Sequence, residues 1–393
     1  MATEVLPDDR ALRRGRRERA LVQMDADDLD ILVLGRQANV RYVTGVPQLW
    51  VAGTRPFGPN CLLVRDTGAV HLLSTWDEGV PDEIPHENLY GISWNPLNTI
   101  ANLRKIDATA KARRVGSDAL SPSYAQLLPM AFPNAELVDG EPTIQAARRI
   151  KTPEEITALR ESTRVAAVGL AAALAELRPG VAERTLNAVI LESMTAGGVS
   201  TPASQDVAWI TSKDHPWRRV AGDGVVKAGD LVVLAPGVLA HGYIGELGRT
   251  YLVGDETAKA RELFARADAL WDRLVQACRP ASHASELLAA YQAAGEQLPP
   301  MPVAHGVGVG FDAPVVSPQL PATSAAEVLE PGMVLAVTGY IWEQGVGAVL
   351  ERKTVHITAD GPDVIGPHMP EGERVLTRFR AEQVEPGMRP ATP

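Results

Sequence analysis

The chain has 393 residues, 45% hydrophobic and 22% charged, which is ordinary for a soluble protein with more than one core. A formal net charge of −10 argues against non-specific nucleic-acid binding, and no leader-like apolar segment or run of 18 apolar residues points to secretion or a membrane span. Two cysteines, Cys61 and Cys278, are too few for a disulfide framework or a thiolate metal site, and their apolar neighbours suit buried thiols in a cytoplasmic protein.

Taken in order, the pattern predicts a helix over 9–24, which carries the basic run Arg10 to Arg19 as a solvated face. A strand follows at 29–35, then a turn with a short helix or strand at 39–45. Residues 61–65 and 69–74 flank Asp66-Thr67-Gly68 and read as a hairpin. Helices are expected near 99–106 and 121–130, with short strands at 115–117 and 136–138. The first 140 residues are therefore expected to form an α/β domain.

Thr152-Pro153-Glu154-Glu155 is a helix start: Thr152 can cap, Pro153 fits the first turn and Glu155 completes a capping box. That helix should run to Leu177, where Pro179-Gly180 stops it. A second helix spans 182–196, and Val207 to Thr211 is a strand. Then comes GDLVVLAPGVLAHGYIGELGRTYLVG, residues 229–254, read as a hairpin of strands 231–234 and 242–252. Glu246 and Arg249 stand in it, and a charge in a core-like hairpin is costly unless it is paired or used. Helices at 256–277 and 285–297 follow. Strand-like segments come next at 305–312, 334–338, 347–349 and 354–358, and the chain closes in a tail rich in Pro, Glu and Gly.

This order, the hairpin and the string RRERALVQMDADDLDILVLGRQANVRYVTG at 16–45 together resemble the pita-bread enzymes. These are creatinase, methionine aminopeptidase and the proline-specific aminopeptidases and dipeptidases. The resemblance spans residues 16 to 361. It implies an α/β (α+β) fold with a creatinase-like N-terminal domain at 1–148, a pita-bread domain at 149–378 and a tail at 379–393. It also implies a homodimer.

In that superfamily two Asp, one His and two Glu hold a metal pair, since two close divalent ions need several anionic oxygens to neutralise them. Matched by motif, those positions fall here on Ala235, Glu246, His305, Thr338 and Arg352. One ligand is kept, one is lengthened and three are lost, so the resemblance implies no metal and no other cofactor. Creatinase is the metal-free member and uses a histidine and carboxylates. Its extra Glu corresponds to Glu351, which is either a pocket carboxylate or the partner of a neighbouring Arg352 or Lys353. Its second carboxylate corresponds to Gly248, and Glu246 lies two residues earlier on the same strand face. Glu246 either serves the pocket or pairs with Arg249 or another arginine.

The catalytic histidine of creatinase points to His215, the histidine of the SKDHPWRRV loop, with His241 a weaker candidate. Arg249, Asp312, Thr338, Tyr340, Trp342 and Arg352 are expected to line a substrate pocket, with Trp209 and Trp217 as further aromatic walls. Arg41 and Arg55 are candidates for binding a substrate carboxylate. The expected activity is metal-independent hydrolysis of a C–N bond, amide or amidine, in a small molecule by His/Glu acid–base catalysis. A lyase, cyclase or isomerase on the same residues, or a non-catalytic binding module, remain the alternatives.

Overall fold

Short β-branched and leucine-rich runs separated by turn residues produce the strands of this protein, and capped, amphipathic segments produce its helices. The structure, a computed structural model, describes residues 8–46, 58–74, 79–91, 95–118, 120–199, 203, 207–216, 224–299, 301–320, 326–366 and 374–376. The expectations for Arg55, Trp217 and the tail at 379–393 lie outside the described residues.

The N-terminal part runs α1 (Asp9–Ala26), β1 (Ile31–Leu34), α2 (Gln37–Thr44), β2 (Cys61–Val64), β3 (Val70–Leu73), β4 (Leu89–Tyr90), α3 (Pro96–Leu103) and α4 (Asp107–Lys111). It continues with β5 (Arg114–Ser117), α5 (Pro122–Leu127), β6 (Glu136–Asp139) and α6 (Glu141–Arg149). Its sheet has the order β4-β3-β2-β1-β5-β6. The fully buried β1 sits centrally, antiparallel to β2 and parallel to β5.

The second part begins with α7 (Pro153–Glu176), α8 (Glu183–Ala196), β7 (Ala208–Ile210), β8 (Asp230–Leu234), β9 (Gly237–Ala240), β10 (Tyr243–Glu246) and β11 (Gly248–Val253). Then follow α9 (Ala258–Ala277), α10 (Glu286–Ala294), β12 (Ala304–Val307), β13 (Phe311–Val316), β14 (Val334–Glu343), β15 (Gly347–Thr358), β16 (Gly361–Ile365) and β17 (Val375–Leu376). The main sheet has the path β13-β12-β14-β15-β11-β8-β7, with β16 beside β15 and β17 beside β11. The pair α7/α8 packs with Val232, Leu234 and Tyr251, and α9/α10 packs with Leu335, Val337, Ile341 and Val349. This is the expected α/β architecture. No described helix is long and apolar enough to cross a membrane.

The capping box at Thr152 forms as expected: its hydroxyl accepts from Glu155 N, and Glu155 Oε2 accepts from Thr152 N at 2.9 Å. The hairpin at 229–254 differs from expectation. His241 (φ 49°) and Gly242 (φ 81°) turn the chain, so β9 and β10 form a separate two-stranded ribbon, and Leu247 separates it from β11. That ribbon lies on α7 so closely that a Cβ at Gly245 would come 2.3 Å from the Ser162 carbonyl carbon. The single segment expected at 305–312 is the hairpin β12–β13, turned through Gly308 to Gly310. Segments 347–349 and 354–358 are one continuous strand, β15.

Candidate active site

The residues at the expected metal positions lie together, with Arg352 rather than Glu351 on their shared face. Thr338 is the ladder partner of Arg352, and Arg352 is the partner of Gly248. A Cβ on Gly248 would stand 3.0 Å from Ala235 Cβ and 3.4 Å from Arg352 Cβ. Ala235, Gly248, Arg352 and Thr338 thus form one row across β8, β11, β15 and β14. There is no room in it for a carboxylate side chain at Gly248, because that Cβ would also press within 2.8 Å of Leu350.

His305 and Glu246 reach this row from two sides. A register shift between His305 and Gly306 bulges β12 and turns the imidazole toward the row. Glu246 ends β10, and its carbonyl accepts from Thr354 Oγ1 at 3.0 Å, which pins the ribbon to β15 two residues beyond Arg352. His305 Nε2 lies 3.1 Å from Glu246 Oε2. The contact is off the hydrogen-bonding axis, so both buried atoms keep unfilled bonding capacity. Arg352 donates from Nε to Thr338 Oγ1 at 2.9 Å, and its Nη1 stands 3.9 Å from Glu246 Oε2. Burial pushes the Glu246 carboxyl up, but the His305 contact and the Arg352 charge outweigh it and hold it below the usual range. Glu246 is therefore a carboxylate at neutral pH.

The space beside Ala235 is apolar and aromatic. Ala235, Val233, Tyr340, Ala348 and Leu350 form one buried cluster, with Trp209, Trp342 and Met301 packed against it. Tyr340 Oη donates to the Pro216 carbonyl at 2.5 Å and Trp342 Nε1 to the Ser212 carbonyl at 2.8 Å. These bonds tie the loop after β7 to the wall. Tyr291, which carries no motif that would single it out, bridges the wall's strand: it donates to the Thr338 carbonyl and accepts from Tyr340 N.

Five expected residues stand elsewhere. Glu351 follows the alternation of β15 to the opposite face. There it is 4% exposed, with Lys353 Nζ and Arg374 Nη2 each at 3.0 Å. These cations lie over the rings of Trp271 and Phe264 on α9. It is the carboxylate of a structural ion pair, and the creatinase-like role for it fails. Arg249 is in register with Glu351 and Leu234, on the face of the Tyr251 ring, away from the row. Asp312 is buried between Arg148 Nη2 at 2.5 Å and Lys151 Nζ at 2.9 Å, and so joins β13 to the end of α6. It clamps the two parts together and does not line the site. His215 is exposed on the loop tied to Tyr340 and Trp342, outside the Glu246–His305–Arg352 network. His241 is exposed at the β9–β10 turn, at the other end of the ribbon from Glu246.

The residues present do not fit a pair of divalent metal ions. Ala235 and Thr338 offer no anionic oxygen, and the Arg352 guanidinium puts a cation where anions would be needed. Among the described residues no group of three or more His, Cys, Asp or Glu side chains is placed to hold a metal ion.

Comparison with known proteins identifies the family and the fold. Residues 157–359 match the model of metallopeptidase family M24, and residues 16–150 match the creatinase/prolidase N-terminal domain. A putative dipeptidase of Bacillus subtilis is 25% identical over 293 residues, covering 73% of this chain and 77% of that protein. An Xaa-Pro dipeptidase of Pyrococcus furiosus is 24% identical over 355 residues, covering 88% and 96%. The crystal structure of a prolidase from Pyrococcus horikoshii superposes with a TM-score of 0.74 at 21% identity, covering 91% of this chain and 99% of that one.

Proposed function

This chain belongs to metallopeptidase family M24, and we propose that it is a hydrolase that has exchanged the family's metal pair for an arginine-steered acid–base pair. The observation that carries this reading is the Arg352 guanidinium, bonded to Thr338 and facing Glu246. It supplies a fixed positive charge in a largely buried site, where such charge acts strongly on developing negative charge.

The substrate is a small organic molecule with an amide or amidine C–N bond and an acidic group. Arg352 presents a planar fork suited to a carboxylate or to a developing oxyanion. Tyr340, Trp342 and Trp209 give the apolar wall against which such a molecule is sorted. Glu246, ionised, holds the imidazole of His305 in place. His305 takes a proton from water, the hydroxide formed attacks the carbon of the C–N bond, and the same proton passes to the leaving nitrogen as the bond breaks. Atoms and charge balance within water and the pair, so no further reactant is required.

The test is a mass-spectrometric screen of acid-bearing amides and amidines in the presence of a chelator. Wild type is compared with His305→Ala, Glu246→Gln and Arg352→Gln. Turnover by wild type alone supports the reading. Turnover that stops with the chelator, returns with manganese and survives His305→Ala overturns it. Tight binding without turnover assigns the fold to ligand binding instead.

A further inference from the structure

The basic run on α1 is not uniformly a solvated face. Arg10 and Arg14 are exposed, but Arg16 is only 3% exposed. Its guanidinium lies 5.9 Å from the ring centres of both Tyr42 and Tyr243, its Nη1 donates to Tyr243 Oη at 3.2 Å, and its buried Nε has no partner. Tyr243 in turn donates to Glu155 Oε1 at 3.0 Å. Beside it, Arg41 of α2 forms no ion pair or side-chain hydrogen bond with a described residue. Burial and then the like charge of Arg16 lower its pKa. Arg13 completes the group and is held by Glu83 at 2.9 Å. Among the described residues the carboxylates at this group are Glu83 on Arg13, Glu155 behind Tyr243, and Asp9, which is exposed.

The walls are shaped to admit these side chains. A Cβ on Gly45 would collide with Arg13 Cδ at 2.2 Å, and a Cβ on Gly242 would press on Arg41 Cδ at 3.1 Å. Together they enclose a pocket of about 240 Å³ between α1, α2 and the β9–β10 turn. An unpaired guanidinium next to a buried one is unfavourable unless an anion joins them.

We propose that this pocket is a binding site for a phosphate-type oxyanion, free or as the phosphoryl group of a small molecule, held by Arg13, Arg16 and Arg41. Three guanidiniums from two helices suit an ion with acceptor oxygens on several sides better than a planar carboxylate. The site also touches the candidate active site through one element: Tyr243 begins β10 and Glu246 ends it. An anion joining Arg16 and Arg41 steadies the ribbon that presents Glu246. This proposal stands apart from the reaction proposed above.

The experiment is calorimetric titration and thermal unfolding of the full chain at constant ionic strength. The probes are inorganic phosphate, glycerol 3-phosphate and acetate. Phosphate is expected to bind and to raise the unfolding temperature in proportion to its concentration. Arg41→Gln should weaken binding by about tenfold or more, the loss of a charge-assisted bond. Arg41→Lys should fall between. Without phosphate, Arg41→Gln should unfold no earlier than wild type, because it removes a charge that has no partner among the described residues. Binding of both phosphate compounds assigns the phosphoryl group as ligand, and binding of inorganic phosphate alone restricts the site to the free ion. Binding of acetate alone, equal binding by Arg41→Gln, or no binding overturns the proposal. Binding lost in Arg352→Gln but kept in Arg41→Gln would place the anion in the active site and overturn it as well.

Discussion

Arg352 donates its Nε–H to Thr338 Oγ1 across 2.9 Å, and this one bond joins two positions that carry metal-binding carboxylates in the enzymes the chain resembles. The two residues are ladder partners, so their side chains leave the same sheet face. In the proposed exchange a cation and a hydroxyl stand where two anions would, with the neighbouring Glu246 facing the cation.

Reversing this exchange one residue at a time should fail. Arg352→Glu sets a carboxylate against the buried Glu246, and we expect a loss of about 3 kcal/mol, the scale of a broken buried charge pair. Combined with Ala235→Asp, Glu246→Asp and Thr338→Glu, the same change should restore divalent-ion binding. Chemical denaturation reads the first outcome and titration with manganese the second.

Glu351 should matter for stability and not for chemistry. It is buried under α9 with Arg374 and Lys353, and Glu351→Gln leaves the buried Arg374 with only the more exposed Asp268 as its anion. A cost of about 3–5 kcal/mol is expected. Turnover measured below the unfolding temperature should stay within about twofold of wild type, since the residue faces away from the site. A large loss of turnover with unchanged stability would return Glu351 to the active site.

Asp312 should control how the two parts of the chain unfold. Its partners Arg148 and Lys151 have side chains 5% and 1% exposed, so Asp312→Asn leaves two buried cations short of an anion. A loss of about 3–5 kcal/mol is expected, and calorimetry should show the single transition broadening or splitting. A variant that melts like wild type would show the clamp to be idle.

Acid should weaken the site through Glu246. Its folded-state pKa lies below the ordinary value, so it adds stability above that ordinary pKa. This contribution falls away as pH drops through the lowered value. Glu246→Gln should flatten the acid limb of the stability curve, and unfolding midpoints between about pH 3 and 6 read the difference. An acid limb unchanged by the substitution would count against an ionised Glu246.

The frame of the fold was legible because it rests on local chemistry: the capping box at Thr152, the turn at Asp66-Thr67-Gly68 and the apolar strand at 231–234 all formed where the residues indicated. The facing of Glu351 and Arg352 was not, because adjacent strand residues point to opposite faces and only register decides which one meets the site. Asp312 was misread because its partners sit 161 and 164 positions away in sequence, across the junction of two domains. Arg16 was misread for a related reason: the two tyrosine rings that bury it come from α2 and β10. Tyr340 and Trp342, expected as aromatic residues filling the space beside Thr338, do pack in one cluster with Ala235, and their service as a substrate wall is part of the proposal.

The exchange of metal for arginine is tested most directly by titrating chelator-treated protein with manganese or zinc while recording heat and circular dichroism. The account predicts no stoichiometric binding and no gain in stability, with Arg352→Gln behaving the same way. Two tightly bound ions per chain, lost on changing His305 or Glu246, would contradict it.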